Sequence, residues 1–431
     1  MSGAVRLAEL IKAEKSITAP IGFVGSHVQA LPKETLLKES CIDFVCLNEG
    51  VYSILSILKL PRINTITLCR VAGLAVRANN EIIFTGAPQV VPQEKLDTDM
   101  PGYAWDLLPF RARPLDLYRS PYWHADYIEE FRSPYAAIQT SIGYRFKCSF
   151  CMINLINKSD DAEVGDASKY SMMRHWSPDF VENEFRKLID MGIKTIRITD
   201  EMFLLNRKYY NPIIDSLIKL NDNDELRILA YSRIDTVPDP ETLARLRKAG
   251  IRWLCLGIES GDRNIRLEVA KGKFKEVDVE KVVRQIENAG INIMANYIFG
   301  LPGDSRETIQ KTFDLSVKLN TLGWNTYAAM ALPGSPLYLK ARNEGQKLPE
   351  KYEEFSFHSY ETIPLSTDKM DAADILELRD KKFIEYFSRK EFLECIERVF
   401  GKHAKDNILD MTKIALERRI IKERKIQFVK G

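Results

Sequence analysis

Residues 249–260 read Ala249-Gly250-Ile251-Arg252-Trp253-Leu254-Cys255-Leu256-Gly257-Ile258-Glu259-Ser260. A mostly apolar run of this length, entered through a glycine and left through a polar pair, is the pattern of a strand buried on both faces. Just upstream, Asp239-Pro240 sets a capping carboxylate before a helix-starting proline, and Gly250 supplies the left-handed residue that ends the helix. The same punctuation recurs. Ser177-Pro178 opens a helical stretch that Met191-Gly192-Ile193 closes, and Ala289-Gly290-Ile291 closes another. Outward from 249–260, strand-like runs fall at 135–142, 194–200, 226–234, 252–260, 292–300 and 325–333, separated by amphipathic helical stretches. Such alternation implies a parallel sheet. Six βα units are two short of a closed eight-fold barrel, so the pattern predicts a partial (β/α)6 TIM-like barrel with ligands at the C-terminal strand ends. A doubly wound open sheet satisfies the same alternation.

The rest of the chain is organised around this core. The alternation continues weakly at the N-terminus, with helices expected at 5–13, 33–39 and 52–58 and strands at 21–25 and 42–47. This amounts to half of a doubly wound α/β domain over 1–75. Residues 76–134, rich in proline and aromatics, read as a linker that packs; 135–335 form the core; and 336–431 read as mainly helical. From Met411 onward the tail holds seven basic residues against two acidic ones, a pattern of a solvated helix face.

Bulk properties narrow the function classes. At 431 residues, 45% of them hydrophobic and 28% charged, the chain can bury large cores and is no candidate for disorder. Its 62 basic and 60 acidic residues nearly cancel, which removes any bulk electrostatic case for nucleic acid or an anionic membrane. No membrane span and no secretion signal are read, so a cytoplasmic location is expected. Seven scattered cysteines suit reduced thiols with a metal or redox site better than a disulfide framework.

Cys148-Ser149-Phe150-Cys151 follows the first core strand, where a barrel places its reactive groups. Half a zinc ribbon, a thioredoxin-like pair and coincidence all produce a C-x-x-C. Zinc needs four ligands and no second pair exists, while five further strands of a larger sheet follow the motif, which is unlike a thioredoxin unit.

The stretch Thr140-Ser141-Ile142-Gly143-Tyr144-Arg145-Phe146-Lys147-Cys148-Ser149-Phe150-Cys151 resembles the C-x-x-x-C-x-x-C loop of the radical S-adenosylmethionine (SAM) superfamily. The resemblance implies a 4Fe-4S cluster on thiolates, one iron free to chelate SAM, and reductive cleavage of SAM to a 5′-deoxyadenosyl radical. Tyr144 stands where the first cysteine of the motif falls, so the implied metal set is Cys148, Cys151 and the phenol of Tyr144. Later segments match the family's SAM-contacting order. Thr199-Asp200-Glu201-Met202-Phe203 stands where an acidic segment receives the SAM amino group. Arg233, in Tyr231-Ser232-Arg233-Ile234-Asp235, implies a partner for the SAM carboxylate or for a core acid. Leu256-Gly257-Ile258-Glu259-Ser260-Gly261 resembles the ribose-contacting strand, with Glu259 as acceptor. Tyr297-Ile298-Phe299-Gly300-Leu301-Pro302-Gly303 resembles the adenine segment, with Asn296 where a first glycine would stand. Phe150, Ser260, Ile298 and Gly300 complete the implied SAM set.

Pro333-Gly334-Ser335-Pro336-Leu337-Tyr338 is similar to the closing turn of the cobalamin-binding subfamily. Gly22-Phe23-Val24-Gly25-Ser26-His27-Val28, Leu47-Asn48-Glu49-Gly50 and Ala104-Trp105-Asp106-Leu107-Leu108-Pro109 are similar to parts of its N-terminal region. From these, Gly25, Ser26, His27, Glu49 and Gly50 are implied cobalamin contacts. Only the second half of that domain is matched, so a truncated cobalamin pocket is expected. The activity implied is SAM-dependent radical chemistry, typically methyl transfer to an unactivated carbon of a small molecule, with an electron donor and no nucleic acid as partner. The alternative is an impaired relative that binds SAM or a protein partner. An RNA methylthiotransferase is disfavoured, because neither a second three-cysteine set nor a basic C-terminal β-domain is present.

Overall fold

The strand signals resolve into two main sheets of different construction in the computed structural model, which describes residues 1–79, 81–108, 135–269 and 276–430. Residues 109–134 of the expected linker, Pro109 among them, lie outside the described residues. The chain divides into two compact units, each assembled from separated segments.

The first unit comprises Met1–Met100, Ile142–Arg174 and Met330–Leu365. Its sheet runs in the order β1 (Gly22–Phe23), β2 (Phe44–Cys46), β3 (Leu74–Ala78), β4 (Glu81–Phe84). Side chains alternate across it with period two. Val45 and Leu47 meet Val5, Ala8 and Leu36, from the helices Ser2–Ala13 and Pro32–Lys38, on one face. Phe44 and Cys46 meet Ile57 and Leu68, from the helices Val51–Leu58 and Thr65–Leu68, on the other. β1 and β2 are parallel, as a doubly wound half-domain requires, but β3 pairs antiparallel with both β2 and β4. The sheet therefore continues past residue 75 into the stretch read as linker, because Asn79 adopts φ +46° and turns the chain into a hairpin.

The loop segment 142–174 is fastened to this sheet by a buried ion pair. Glu49 follows β2, and Arg174 lies in β7 (Met173–His175), which pairs with β6 (Ser141–Gly143). Arg174 Nη2 is 2.7 Å from Glu49 Oε2, with the two side chains 2% and 3% exposed. Arg174 also donates to the Val91 carbonyl at 2.6 Å and to Asn157 Oδ1 at 2.7 Å, while the Val91 amide donates to Glu49 Oε1 at 2.6 Å. Asn157 in turn donates to the Met172 carbonyl at 2.7 Å.

The second unit comprises Pro101–Ser141, His175–Ala329 and Ser366–Gly431. It carries the sheet predicted from 249–260, a curled half-barrel of six strands: β5 (Tyr135–Ile138), β8 (Thr195–Ile198), β9 (Arg227–Arg233), β10 (Ile251–Glu259), β11 (Asn292–Phe299) and β12 (Gly323–Ala328). All neighbours are parallel, and spatial order follows chain order. The caps form as read: Ser177 Oγ accepts from the Phe180 amide, the Asp239 carboxylate accepts from the Thr242 amide, and Gly192, Gly250 and Gly290 all have positive φ. Three strands, β5, β8 and β12, are at least three residues shorter than expected. β5 ends at Ile138 because the Thr140 amide is taken by the Asp200 carboxylate, and β12 ends at Ala328 because the ladder closes with Ala329 donating to Phe299.

The C-terminal region is helical, as expected, with Ala372–Phe387, Lys390–Phe400, Lys402–Thr412 and Arg419–Lys430. Trp324 of β12 stacks on Tyr386 at 5.0 Å, and the Tyr386 hydroxyl donates to the Thr321 carbonyl. No described helix is long and apolar enough to cross a membrane.

Removing one partner of a buried ion pair strands the other charge. Glu49→Gln or Arg174→Met is expected to cost about 3–5 kcal/mol in urea unfolding, and the Glu49→Leu/Arg174→Met double variant less than the sum of its parts.

Candidate functional site

In the first unit, the expected metal-binding residues occupy one short loop. The Cys151 amide donates to the Cys148 carbonyl at 3.1 Å, a tight turn that sets both thiols on the same loop. Cys148 is buried and Cys151 half-buried. The Tyr144 ring is buried beside Phe146, and its hydroxyl lies 3.9 Å from Cys148 Sγ. Asn154 holds this arrangement, accepting from the Tyr144 amide at 2.9 Å and donating to the Phe146 carbonyl at 3.2 Å. Phe150 packs against a core built on Leu155, Ala167 and Leu337.

Among the described residues no three His, Cys, Asp or Glu side chains converge as a metal-binding group. The donors that the loop offers an iron-sulfur cluster are therefore two sulfurs and, adjoining one of them, a phenol oxygen. This set lacks the third thiolate of the three-cysteine form and offers a phenol oxygen in its place.

Of the expected cobalamin contacts, His27 and Glu49 have partners within the chain. Gly25 and Gly50 have φ +137° and +79° and precede the helices Ser26–Ala30 and Val51–Leu58, the first of which Ser26 begins. His27 lies edge-on to Tyr352 and Phe355, 5.1 and 5.6 Å between ring centroids, and burial lowers its pKa to about 4. A neutral imidazole wedged between two rings and a Glu49 carboxylate already bound to Arg174 do not fit the role of corrin contacts.

In the second unit, the expected SAM residues gather at the C-terminal ends of the parallel strands. Asp200 is buried and accepts from the Thr140 amide, Thr140 Oγ1 and Ser141 Oγ, each at 2.6 Å. Burial raises its pKa despite these donors. Its carboxylate thus anchors the end of β5. Glu201, the next residue, is exposed at the recessed strand end, where desolvation and the Asp200 carboxylate raise its pKa. Arg233 is bound by the core acid Asp235, Nε to Oδ1 at 2.5 Å and Nη2 to Oδ2 at 2.7 Å.

Glu259 carries the clearest mark of a functional position. The β10–β11 register slips between Gly257 and Glu259, and Glu259 is held at φ +66°, a costly conformation for a side chain of its size. Gly257 makes room for it: a Cβ there would lie 2.6 Å from Glu259 Oε1. Burial raises the Glu259 pKa to about 7, with Arg233 opposing. Ser260 is buried, its hydroxyl 3.2 Å from Thr312 Oγ1 and accepting from the Asp262 amide, so it braces the helix Arg306–Leu319. Gly300 has φ +83° and donates to Asp304 Oδ2, which also accepts from Leu301. Ile298 is half-buried on β11.

Sequence reasoning missed the polar character of the sheet's concave face. Arg197, Tyr231, Asn296, Asn325 and Tyr327 are half-buried, while the alternate positions Ile196, Ser232, Ala295 and Thr326 are buried. The available signal was an isolated polar residue, Arg197, Asn296 or Asn325, set between apolar or buried neighbours in each strand. His175, whose ring lies tilted against Tyr209 at 4.3 Å, and Cys255, raised to about 12 by burial, join no described metal-binding group.

Residues 143–316 match the family model of the Radical SAM superfamily. An uncharacterized methyltransferase of Pyrococcus horikoshii is 24% identical over 401 residues, covering 91% of this chain and 77% of the relative. The anaerobic magnesium-protoporphyrin IX monomethyl ester cyclase of Cereibacter sphaeroides is 23% identical over 350 residues, and the match spans 50% of that protein. Among solved structures, the radical SAM methyltransferase TsrM of Kitasatospora setae, with tryptophan and a SAM analogue bound, aligns with a TM-score of 0.57 at 18% identity. The match covers 78% of this chain and 61% of TsrM. The cobalamin-dependent enzyme OxsB aligns at 0.60 and 16% identity, over 96% of this chain and 61% of OxsB.

Because the folded-state pKa of Glu259 stands above its ordinary 4.5, its contribution to stability is fully present below pH 4.5 and is lost as pH rises to about 7. Unfolding free energy measured across that window should fall by up to about 3 kcal/mol from this residue, and Glu259→Gln should flatten the fall.

Proposed function

We propose, with residues 143–316 as a radical SAM domain for premise, that the chain is an enzyme that cleaves SAM reductively and modifies an unactivated carbon of a small molecule. Methyl transfer is the form favoured by relatives that include a hopanoid C-2 methylase and a tryptophan 2-C-methyltransferase. The observation that carries the reading is the strained, half-buried Glu259 at the C-terminal end of β10, where a ribose acceptor is required.

In this reading Cys148, Cys151 and the Tyr144 oxygen hold the cluster. When bound, a 4Fe-4S cluster with SAM on its free iron supplies one-electron cleavage of the sulfonium. Glu259 accepts from the ribose hydroxyls, and being raised to about 7 it does so best on the alkaline side of that value. Glu201 takes the SAM amino group. Asp200 holds the end of β5 and touches nothing of the ligand, and Arg233, held in place by Asp235, steadies the Glu259 carboxylate through its charge. The half-domain boundary at 75, a cytoplasmic location and an external electron donor belong to the same proposal. No step is assigned to cobalamin, because His27 and Glu49 are engaged by the chain itself.

A second reading, a SAM-binding relative without a cluster, is favoured by Tyr144 in place of a thiolate. Anaerobic reconstitution separates the two. Wild type is expected to hold close to one cubane's iron and sulfide and to release 5′-deoxyadenosine or a methylated product on reduction. Tyr144→Phe should lose most of the iron, while Tyr144→Cys should retain it with a changed electron paramagnetic resonance signal. Equal iron in wild type and Tyr144→Phe removes the phenol from the ligand set. No cluster in any form, with S-adenosylhomocysteine still bound, establishes the second reading.

A further inference from the structure

One surface of the first unit is apolar, exposed and bordered by a single sign of charge. The helices Val51–Leu58 and Thr65–Leu68 pack on the same face of the N-terminal sheet, where Ile57 and Leu68 meet Phe44 and Cys46. Ser53 and Ile57, one turn apart, are buried, and the helical period sends Ile54, Leu55 and Leu58 to the outer side. Ile66 is set away from Leu68 in the same manner. These four and Ile63, which lies between the helices, are exposed, Leu58 at 69% and Ile66 at 70%. The turn that carries Ile63 and Ile66 is fixed, since Asn64 Oδ1 accepts from the Thr67 amide at 3.1 Å and Thr67 Oγ1 accepts from the Asn64 amide at 3.0 Å. Exposed apolar residues scattered singly are ordinary, whereas a group of them on the outer side of two consecutive helices marks an interaction surface.

The charge around this surface is segregated, which the near-neutral balance of the whole chain conceals. Residues 50–80 contain four basic residues and no acid. Arg77 is turned to the Leu36 and Glu39 carbonyls, whereas Lys59, Arg62 and Arg70 are exposed and form no ion pair among the described residues. Asp99, which accepts from the Tyr52 hydroxyl at 2.6 Å, and Glu94 gather at the opposite end of the helix from Lys59. Aliphatic side chains flanked by unpaired cations match a surface that is anionic at its face and apolar beneath, the make-up of an acidic phospholipid leaflet. A protein partner is a poorer match, because interfaces concentrate their energy in aromatic residues and arginine, and the one aromatic ring here, Tyr52, is bound to Asp99. A second copy related by a two-fold axis would bring the cations toward their own counterparts with no acid in the patch to meet them. No described helix can cross a bilayer, so the contact is one of lying on the surface. We propose that Ile54, Leu55, Leu58, Ile63 and Ile66, with Lys59, Arg62 and Arg70, dock the protein on a membrane surface that contains anionic phospholipid. The inference shares no residue with the function proposed above and does not rest on it.

The test is flotation of the full chain with vesicles of phosphatidylcholine alone and of equimolar phosphatidylcholine and phosphatidylglycerol. Binding to the anionic vesicles should exceed binding to the neutral ones by about tenfold or more, and should weaken as salt is raised. Leu58→Ser/Ile66→Ser and, separately, Lys59→Glu/Arg62→Glu should each lower anionic-vesicle binding by about tenfold or more. Both should keep the wild-type melting temperature, because the side chains replaced are exposed. Equal binding to the two kinds of vesicle, no binding to either, or wild-type binding by either variant would overturn the proposal. A marked loss of melting temperature in the serine variant would do so too, since it assigns Leu58 and Ile66 to the core. Sedimentation without vesicles supplies the remaining arm: a dimer that Leu58→Ser/Ile66→Ser abolishes would give this surface to a second copy and overturn the lipid assignment.

Discussion

A carboxylate and a guanidinium taken almost wholly out of water cost several kcal/mol each unless they satisfy one another, and the first unit is arranged around one such pair. Glu49 sits at the end of a strand in the N-terminal sheet, and Arg174 closes the loop that bears Cys148 and Cys151. Their mutual contact holds the loop in register against the sheet. Asn157 spreads the constraint into the loop interior, and the Val91 backbone both gives to the pair and takes from it. A loop whose own secondary structure is two short strands and a few tight turns gains its definition from this charge pair and from the small core around Leu155.

The second unit shows the complementary economy of polar groups. Its strand ends carry acids whose pKa values are raised by withdrawal from water: Asp200, Glu201 and Glu259. These acids have different employments. Asp200 is fully satisfied by the chain and serves geometry, while Glu259 is held under backbone strain beside a glycine that makes room for it. Strain and an elevated pKa at one residue are tolerated where a ligand repays them.

Much of this was legible in the sequence, for reasons that differ by element. The six strands followed from apolar runs that alternate with amphipathic helical stretches and are punctuated by glycine, because local sterics and burial both act over a few residues. The Ser177 and Asp239 caps were legible for the same reason. The partner of Glu49 was not, since Arg174 is remote in sequence and nothing local marks it. Glu49 and His27 were read as cofactor contacts, yet their immediate surroundings are Arg174, Tyr352 and Phe355, residues that only the fold brings near. The hairpin β3–β4 was missed because the boundary at 75 falls inside β3, whose Leu74-Ala75-Val76-Arg77-Ala78 run shows little polar alternation. Arg197 was passed over as one charge in an apolar strand; its partner Tyr231, on the neighbouring strand, is near it only in the fold.

Strand order in the half-barrel equals chain order, and this bears on how the protein is made. During synthesis each new strand of the half-barrel can dock on the one just completed, so the sheet grows from one edge without waiting for distant sequence. The first unit has no such convenience. Its opening hundred residues remain short of Arg174, and of the Tyr352 and Phe355 rings around His27, until most of the polypeptide has left the ribosome. The part translated earliest is thus the part completed last, and it is during that interval that a chaperone has most to protect.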